Sequence, residues 1–347
     1  MNIHEKYIKR CIQLAQNGIG TTYPNPMVGS VIVHEDKIIG EGWHRVAGEP
    51  HAEVLATRSV KDESLLKHCT IYVSLEPCSH YGKTPPCSDL IIAKGIKRVV
   101  IGSVDPFAEV SGRGIKKLLD AGCEVQVGIL EKEGQWLNRR FFTFHQQKRP
   151  YIILKWAQSL DAFIAPEKQE KREPVWITNP HSNQLVHKWR SEEQGILVGT
   201  QTAVADNPRL NTRFWDGPDP VRIVLDRNLR IPKDSALFDG SVKTIVFTED
   251  IEKAFGHKNL IFEGIKFGRE LPEQICEVLY RHEIQSVIIE GGAKTLQTFI
   301  DSGLWDEARV FTGNNQLRNG VKAPGFSGKL ISERTIKNDN LKIYIND

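Results

Sequence analysis

Apolar residues in the first fifteen positions recur at helical spacing. Tyr7, Ile8, Cys11, Ile12 and Ala15 share one face, which predicts an amphipathic helix ending near Gly18 and Gly20. The period then changes. Residues 28–33 and 37–42 read as two strands around a turn at His34-Glu35-Asp36. A helix beginning at His51 follows, then a short apolar strand over 70–75 and a helix from Cys87 through Leu90, Ile91, Ile92 and Ala93 to Gly95. A strand over 98–102, a helix over 114–121 and a strand over 124–127 complete the series. Strands alternating with helices predict an α/β sheet covered on both faces.

Gln146-Gln147-Lys148-Arg149-Pro150 is polar and ends in proline, which predicts a boundary between residues 141 and 150 and domains over 1–145 and 146–347. A second series begins there. Strands are expected over 151–154, 195–198, 221–225, 244–247 and 286–290, with helices near 272–281 and 293–302. No internal repeat or low-complexity tract interrupts them. The charged stretch 164–174 reads as a solvated loop.

A length of 347 residues suits two such domains. The net charge of +3 gives no basic footprint, so no nucleic-acid partner is expected. The six cysteines form no disulfide framework; Cys11, Cys69, Cys123 and Cys276 read as free thiols of a reducing compartment. Residues 1–10 carry several charges and no apolar signal core, and no apolar run nears the ~20 residues that span a bilayer. A cytoplasmic protein with no membrane partner is the expectation.

Three short pieces carry candidate chemistry: His51-Ala52-Glu53, Pro77-Cys78 and Cys87. One imidazole and two thiolates suit a zinc ion that keeps a fourth position open for water. Glu53 stands two residues from His51, in the place of the proton-shuttling glutamate of zinc nucleobase deaminases. In those enzymes the second half is usually P-C-x-x-C; here eight residues separate Cys78 from Cys87. A purely structural zinc site is the competing reading, and it would need a fourth ligand such as His80 or Cys69.

The insert between the cysteines is specific. Leu75-Glu76-Pro77-Cys78-Ser79-His80-Tyr81-Gly82-Lys83-Thr84-Pro85-Pro86-Cys87 resembles the bifunctional riboflavin-biosynthesis deaminase/reductase family, as do Pro24-Asn25-Pro26-Met27-Val28-Gly29 and Gly42-Trp43-His44. The resemblance covers essentially the whole chain. It implies a cytidine-deaminase-like three-layer α/β/α domain, followed by a dihydrofolate-reductase-like α/β domain. It also implies Zn2+ and NADPH as cofactors, a small pyrimidine ribose phosphate as substrate, and homo-oligomers formed through the reductase domain. Asn25, His44, Lys83 and Asp105 match positions that hold that substrate in the deaminase half. The family usually follows Asp105-Pro106 with Asn-Pro, where this chain has Phe107-Ala108.

In the second half the resemblance rests on Lys155-Trp156-Ala157-Gln158-Ser159-Leu160-Asp161, Trp176-Ile177-Thr178, Gly199-Thr200-Gln201-Thr202, the run from Asp206 to Arg213, and Glu290-Gly291-Gly292. It implies that Gln158, Trp176, Thr202, Asp206, Gly292, Ala293, Lys294, Thr295, Leu296, Gln297 and Thr298 line the NADPH site. It assigns the sugar phosphate to Arg190, Leu210, Arg213 and Glu290, and makes Lys155 and Glu290 the catalytic candidates. A standard G-x-G-x-x-G fingerprint is absent. The family's Ser-Leu-Asp-Gly is Ser159-Leu160-Asp161-Ala162 here, which strains the turn if residue 162 takes a positive φ. Two other readings compete: a deaminase whose second domain is only a scaffold, and a nucleic-acid editing deaminase, which the near-neutral charge opposes. A zinc-stabilised binding module without catalysis is the third.

Overall fold

The computed structural model describes residues 2–79, 81, 85–107, 111–167 and 175–346. The chain divides into two compact units, Met1–Lys148 and Arg149–Asp347.

In the first unit, α1 (Ile3–Ala15) starts at a capping box: Asn2 accepts the His4 N–H, and the Glu5 carboxylate takes the Asn2 N–H. It is followed by β1 (Gly29–His34), β2 (Lys37–Trp43), α2 (Ala52–Arg58), β3 (Thr70–Leu75), α3 (Cys87–Ala93), β4 (Arg98–Ser103), α4 (Arg113–Asp120), β5 (Glu124–Val127), α5 (Glu131–Leu137) and α6 (Arg139–Gln147). The sheet runs β2-β1-β3-β4-β5; β1 is antiparallel to both neighbours, and β3, β4 and β5 are parallel. Side chains alternate across it. Ile32, Ile71, Val73, Val99 and Ile101 pack with Ala56, Ile91 and Leu118 of α2, α3 and α4. Val31, Val33, Tyr72 and Val100 face Tyr7, Ile8, Cys11 and Leu14 of α1. Three layers result because each strand offers an apolar side chain to both faces.

The second unit contains β6 (Tyr151–Gln158), β7 (Phe163–Ala165), α7 (Pro180–Glu192), β8 (Gly195–Gly199), α8 (Thr200–Asp206), β9 (Val221–Leu225), β10 (Thr244–Thr248), β11 (Leu260–Gly264), α9 (Leu271–Arg281), β12 (Ser286–Ile289) and α10 (Ala293–Asp301). The last strands are β13 (Glu307–Thr312), β14 (Val321–Lys322), β15 (Lys329–Ile336) and β16 (Asp339–Ile345). The large sheet has the order β11-β10-β9-β8-β12-β6-β13-β16-β15 and is parallel from β11 to β13. Two antiparallel strands close it. Alternation again divides the core: Ile152, Leu154, Val287 and Ile289 lie on one face, Ile153, Ile196, Val198 and Ile288 on the other.

Several expectations shift. Gln146 and Gln147 belong to α6, because Phe141, Phe142 and Phe144 bury one side of that helix and carry it to Lys148, which caps it at φ 57. The stretch expected as a charged loop begins as a strand: Phe163–Ala165 pair with β14. Residues 168–174 of it lie outside the described residues. Helices α7 and α8 and the closing strands β13, β15 and β16 had not been predicted.

Candidate active sites of the two units

His51 is the N-cap of α2 and Cys87 the first residue of α3, while Cys78 follows the end of β3. These three segments converge beyond the carboxyl end of β3, the central strand of the sheet. The His51 Nδ1 lies 3.5 Å from the Cys78 Sγ and 3.3 Å from the Cys87 Sγ, and all three ligand atoms fall within 4.8 Å of one another. A tetrahedral zinc with ordinary Zn–N and Zn–S bonds separates nitrogen from sulfur by about 3.6 Å. The donor set and its edges therefore fit the ion. The Cys87 N–H also donates to the Cys78 Sγ at 3.3 Å. Hydrogen bonds from Cys87 and His51 draw the Cys78 thiol down to about 4, and the same bond with Cys78, together with burial, pushes Cys87 up.

Glu53 is buried in the first turn of α2. Burial raises its pKa above the usual carboxylate range and the Cys78 charge adds to this, while His51 and a hydrogen bond from Cys87 oppose it. His44 is buried with its ring edge-on to His51 at 5.2 Å, and its Nε2 is 3.1 Å from the Asn25 amide. Burial lowers the His44 pKa, with the Pro50 carbonyl opposing. Asp105, just beyond β4, is buried and accepts the Phe107 N–H at 2.8 Å. Burial lifts its carboxyl to about 7. The Phe107 ring meets that of His145 at 5.0 Å, tilted by 54°, and His145 in turn meets Phe141 at 4.3 Å. Lys83 and His80 lie outside the described residues.

In the second unit, Lys155 shares the face of β6 with Tyr151 and Ile153, which turns it toward α7. There Arg190 donates through Nη2 to the Glu290 Oε2 at 2.8 Å, and the Lys155 Nζ is 3.7 Å from the Oε1. Burial would raise the Glu290 pKa, but the charges of Arg190 and Lys155 and the Arg190 hydrogen bond outweigh it and hold it at about 2. Burial lowers the pKa of Lys155, with Glu290 opposing. Glu290 follows the carboxyl end of β12, and Lys155 is the first residue of β6 past its pairing with that strand, near where ligands of α/β sheets usually bind.

Gly291 and Gly292 then turn the chain into α10. A Cβ on Gly291 would stand 2.7 Å from the Cα of Val198, so the backbones of β8 and of this turn touch, and Gly292 caps α10 at φ +58. Thr202 flanks Gly292, Thr295 lies over Gly199, and Asp206 ends α8. Ala293 and the exposed Lys294 open α10. Trp176 is exposed, and Gln158 accepts from the Trp156 indole at 2.9 Å.

Two of the expected lining residues present no side chain: Leu296 and Leu210 are buried in the cores, so only their backbones can face a ligand. Gln297 is engaged with Asp301 and Gly325, and Thr298 with the Lys294 carbonyl. Arg213 bonds to Asn211 at 2.6 Å.

Two residues were missed. His187 on α7 accepts the Arg213 N–H on Nδ1 at 2.9 Å, and its buried Nε2 has no hydrogen-bond partner among the described residues. Burial and the charge of Arg190 lower its pKa to about 4, so it stays neutral among the cations. No sequence signal marks it beyond its place three residues before Arg190. Glu76, beside Pro77-Cys78, stands out in the sequence only as part of that motif.

Comparison with known proteins agrees with both halves. Residues 1–103 match the cytidine and deoxycytidylate deaminase zinc-binding region, and residues 150–315 the RibD C-terminal domain. The riboflavin biosynthesis protein RibD of Aquifex aeolicus is 40% identical over 95% of this chain and 92% of its own length. The chain belongs to the RibD family. It is therefore a bifunctional deaminase and reductase of riboflavin biosynthesis, of a family that uses zinc and NADPH. The RibD of Escherichia coli is 35% identical over 88% of this chain and 86% of that protein. The crystal structure of a diaminohydroxyphosphoribosylaminopyrimidine deaminase/5-amino-6-(5-phosphoribosylamino)uracil reductase from Thermotoga maritima matches with a TM-score of 0.89 and 36% identity, covering 99% of each chain. Membership of this family disfavours the nucleic-acid editing and scaffold readings. No helix among the described residues is long and apolar enough to cross a membrane.

Proposed function

We propose that the first unit removes the 2-amino group of 2,5-diamino-6-ribosylamino-4(3H)-pyrimidinone 5′-phosphate by hydrolysis, and that the second then reduces the ribosyl chain to ribityl with NADPH. The observation that carries the reading is the convergence of His51, Cys78 and Cys87 beside a buried Glu53, in a chain whose other half gathers Lys155, Arg190 and Glu290. His51, Cys78 and Cys87 would hold the zinc, which when bound would lower the pKa of the attacking water. Glu53 takes a proton from the attacking water and returns protons to the ring nitrogen and the departing ammonia. Asn25, His44, Lys83 and Asp105 hold the pyrimidine and its ribose phosphate.

In the second unit Arg190 and Arg213 take the phosphate by charge-assisted hydrogen bonds, with Leu210 contributing backbone. Gln158, Trp176, Thr202, Asp206 and residues 292–298 would hold NADPH, and the Gly291-Gly292 turn before α10 would let the backbone approach a phosphate closely. The cofactor supplies the hydride for C1′. Lys155, buried and lowered in pKa, delivers the accompanying proton, and Glu290 orients it.

The deaminase is assigned to the first unit and the reductase to the second, with the boundary after Lys148, three residues beyond the 1–145 and 146–347 division expected from the sequence. Six unpaired cysteines support a reducing, cytoplasmic setting. Self-association through the reductase half is supported by the edge strand β15, where Leu330 and Ile331 are exposed. The test is mass spectrometry of the products after zinc-loaded protein meets the diaminopyrimidinone phosphate and NADPH. Exchange of an amine for oxygen together with a gain of two hydrogens is expected. Deamination alone would remove the reductase from the reading, and an unchanged substrate would remove both.

A further inference from the structure

Glu76 leaves β3 two residues before Cys78, and its side chain is buried. The carboxylate accepts four backbone N–H groups. Oε2 takes those of Gly112 at 2.9 Å and Asp105 at 3.3 Å; Oε1 takes those of Gly114 at 2.9 Å and Ile115 at 3.2 Å. Its own N–H donates to the Ser103 carbonyl at 2.9 Å, at the end of β4. Gly112, the N-cap of α4, offers no side chain to the first turn of that helix. The first N–H groups of a helix have no partner within it. Glu76 supplies the missing acceptor from another element, with its charge at the positive end of the helix. The fit is close on the other side too: a Cβ at Gly114 would stand 2.0 Å from the Pro77 carbonyl oxygen.

One carboxylate therefore ties two places together. It fixes the path Glu76-Pro77-Cys78, which carries a metal ligand, and it fixes the segment after β4, which carries Asp105. Zinc tolerates ligand displacements of only about 0.2 Å, so an anchor two residues from a ligand is felt at the metal. We infer that Glu76 is a positioning residue of the deaminase half: it sets the Cys78 sulfur and the Asp105 carboxyl relative to each other, and with them zinc affinity and turnover. The inference rests on the zinc reading of the His51–Cys78–Cys87 site.

The test compares full-length wild type with Glu76→Gln. The amide keeps the size of the side chain but turns two acceptor positions into donors that face backbone N–H groups. Zinc affinity is measured by competition with a chromophoric chelator, ligand geometry by the visible spectrum of the cobalt-substituted protein, and turnover at saturating zinc. Reduction of the deaminated substrate by NADPH reports the other half. The expected result is zinc bound about 10- to 100-fold more weakly, shifted cobalt bands, a fall of at least tenfold in deamination kcat, and reduction retained. Wild-type zinc affinity, cobalt spectrum and kcat in the variant would overturn the inference, even with a lowered melting temperature, because a merely structural anchor predicts that pattern. Should Glu76→Gln fail to fold, Glu76→Asp decides by the same cobalt spectrum: its shorter reach must shift the bands. A wild type that binds no zinc and does not deaminate would overturn the site reading itself, and that is seen before any variant is compared.

Discussion

Arg190 and Glu290 form a buried ion pair at 2.8 Å, and the second oxygen of the same carboxylate faces Lys155 at 3.7 Å without a hydrogen-bond partner among the described residues. Two cations thus share one carboxylate. Glu290→Gln leaves both cations buried and uncompensated, which costs about 3 to 5 kcal/mol of stability at neutral pH. The variant is expected to lose reduction by at least 100-fold and to keep deamination, read from parallel product assays. The sign of the pH dependence follows from the depressed pKa. With a folded value of about 2 and an unfolded one near 4.3, the carboxylate stabilises the fold above the unfolded value. That contribution fades as pH falls toward the folded value. Acid titration of wild type against Glu290→Gln should therefore converge between those limits.

Zinc removal should separate the two activities. A strong chelator is expected to abolish deamination and leave NADPH-dependent reduction of the deaminated substrate unchanged. Glu53→Gln should keep stoichiometric zinc and lower deamination by about 10²- to 10⁴-fold, whereas His51→Ala should lose the metal as well. Metal content by atomic spectroscopy, read alongside turnover, distinguishes the two variants. Retention of full activity by Glu53→Gln would sink its role as proton carrier.

Ala162 sits at φ 62, hydrogen-bonded to Ser159 and Ala323. A left-handed conformation costs an L-residue roughly 1 to 2 kcal/mol, while the freedom of glycine in the unfolded chain returns part of that gain. Ala162→Gly should stabilise the protein by up to about 1 kcal/mol in chemical denaturation. An unchanged or lowered stability would show that the neighbouring contacts absorb the strain.

Gly291 allows β8 and the turn into α10 to touch. A methyl group there meets backbone rather than a movable side chain, so Gly291→Ala should cost about 1 to 3 kcal/mol. It should also weaken NADPH binding more than substrate binding. Fluorescence titration with NADPH and the KM values of the two reactants test this directly.

Local chemistry was legible in the sequence where residue type and spacing determine it. His51, Glu53, Cys78 and Cys87 converge as the motif implies, and the alternating apolar strands locate both sheets. The closing strands were not legible, because β15 is exposed along nearly its whole length and shows no apolar alternation. His187 escaped notice because its importance lies in being close to Arg190, Arg213 and Glu290 in space. Glu76 was hidden differently: its four partners are backbone groups 29 to 39 residues away, and backbone leaves no mark in a sequence. Leu210 and Leu296 show the converse, since position in a motif says nothing about whether a side chain or its backbone faces a ligand.

Each unit closes its own core, with separate apolar clusters on the two faces of its own sheet. One translation event therefore delivers both catalysts in a fixed one-to-one ratio. The level of the deaminated intermediate cannot be tuned by making more of one enzyme than of the other. Within this chain the balance between forming and consuming it shifts only through substitutions that change the kinetics of one half.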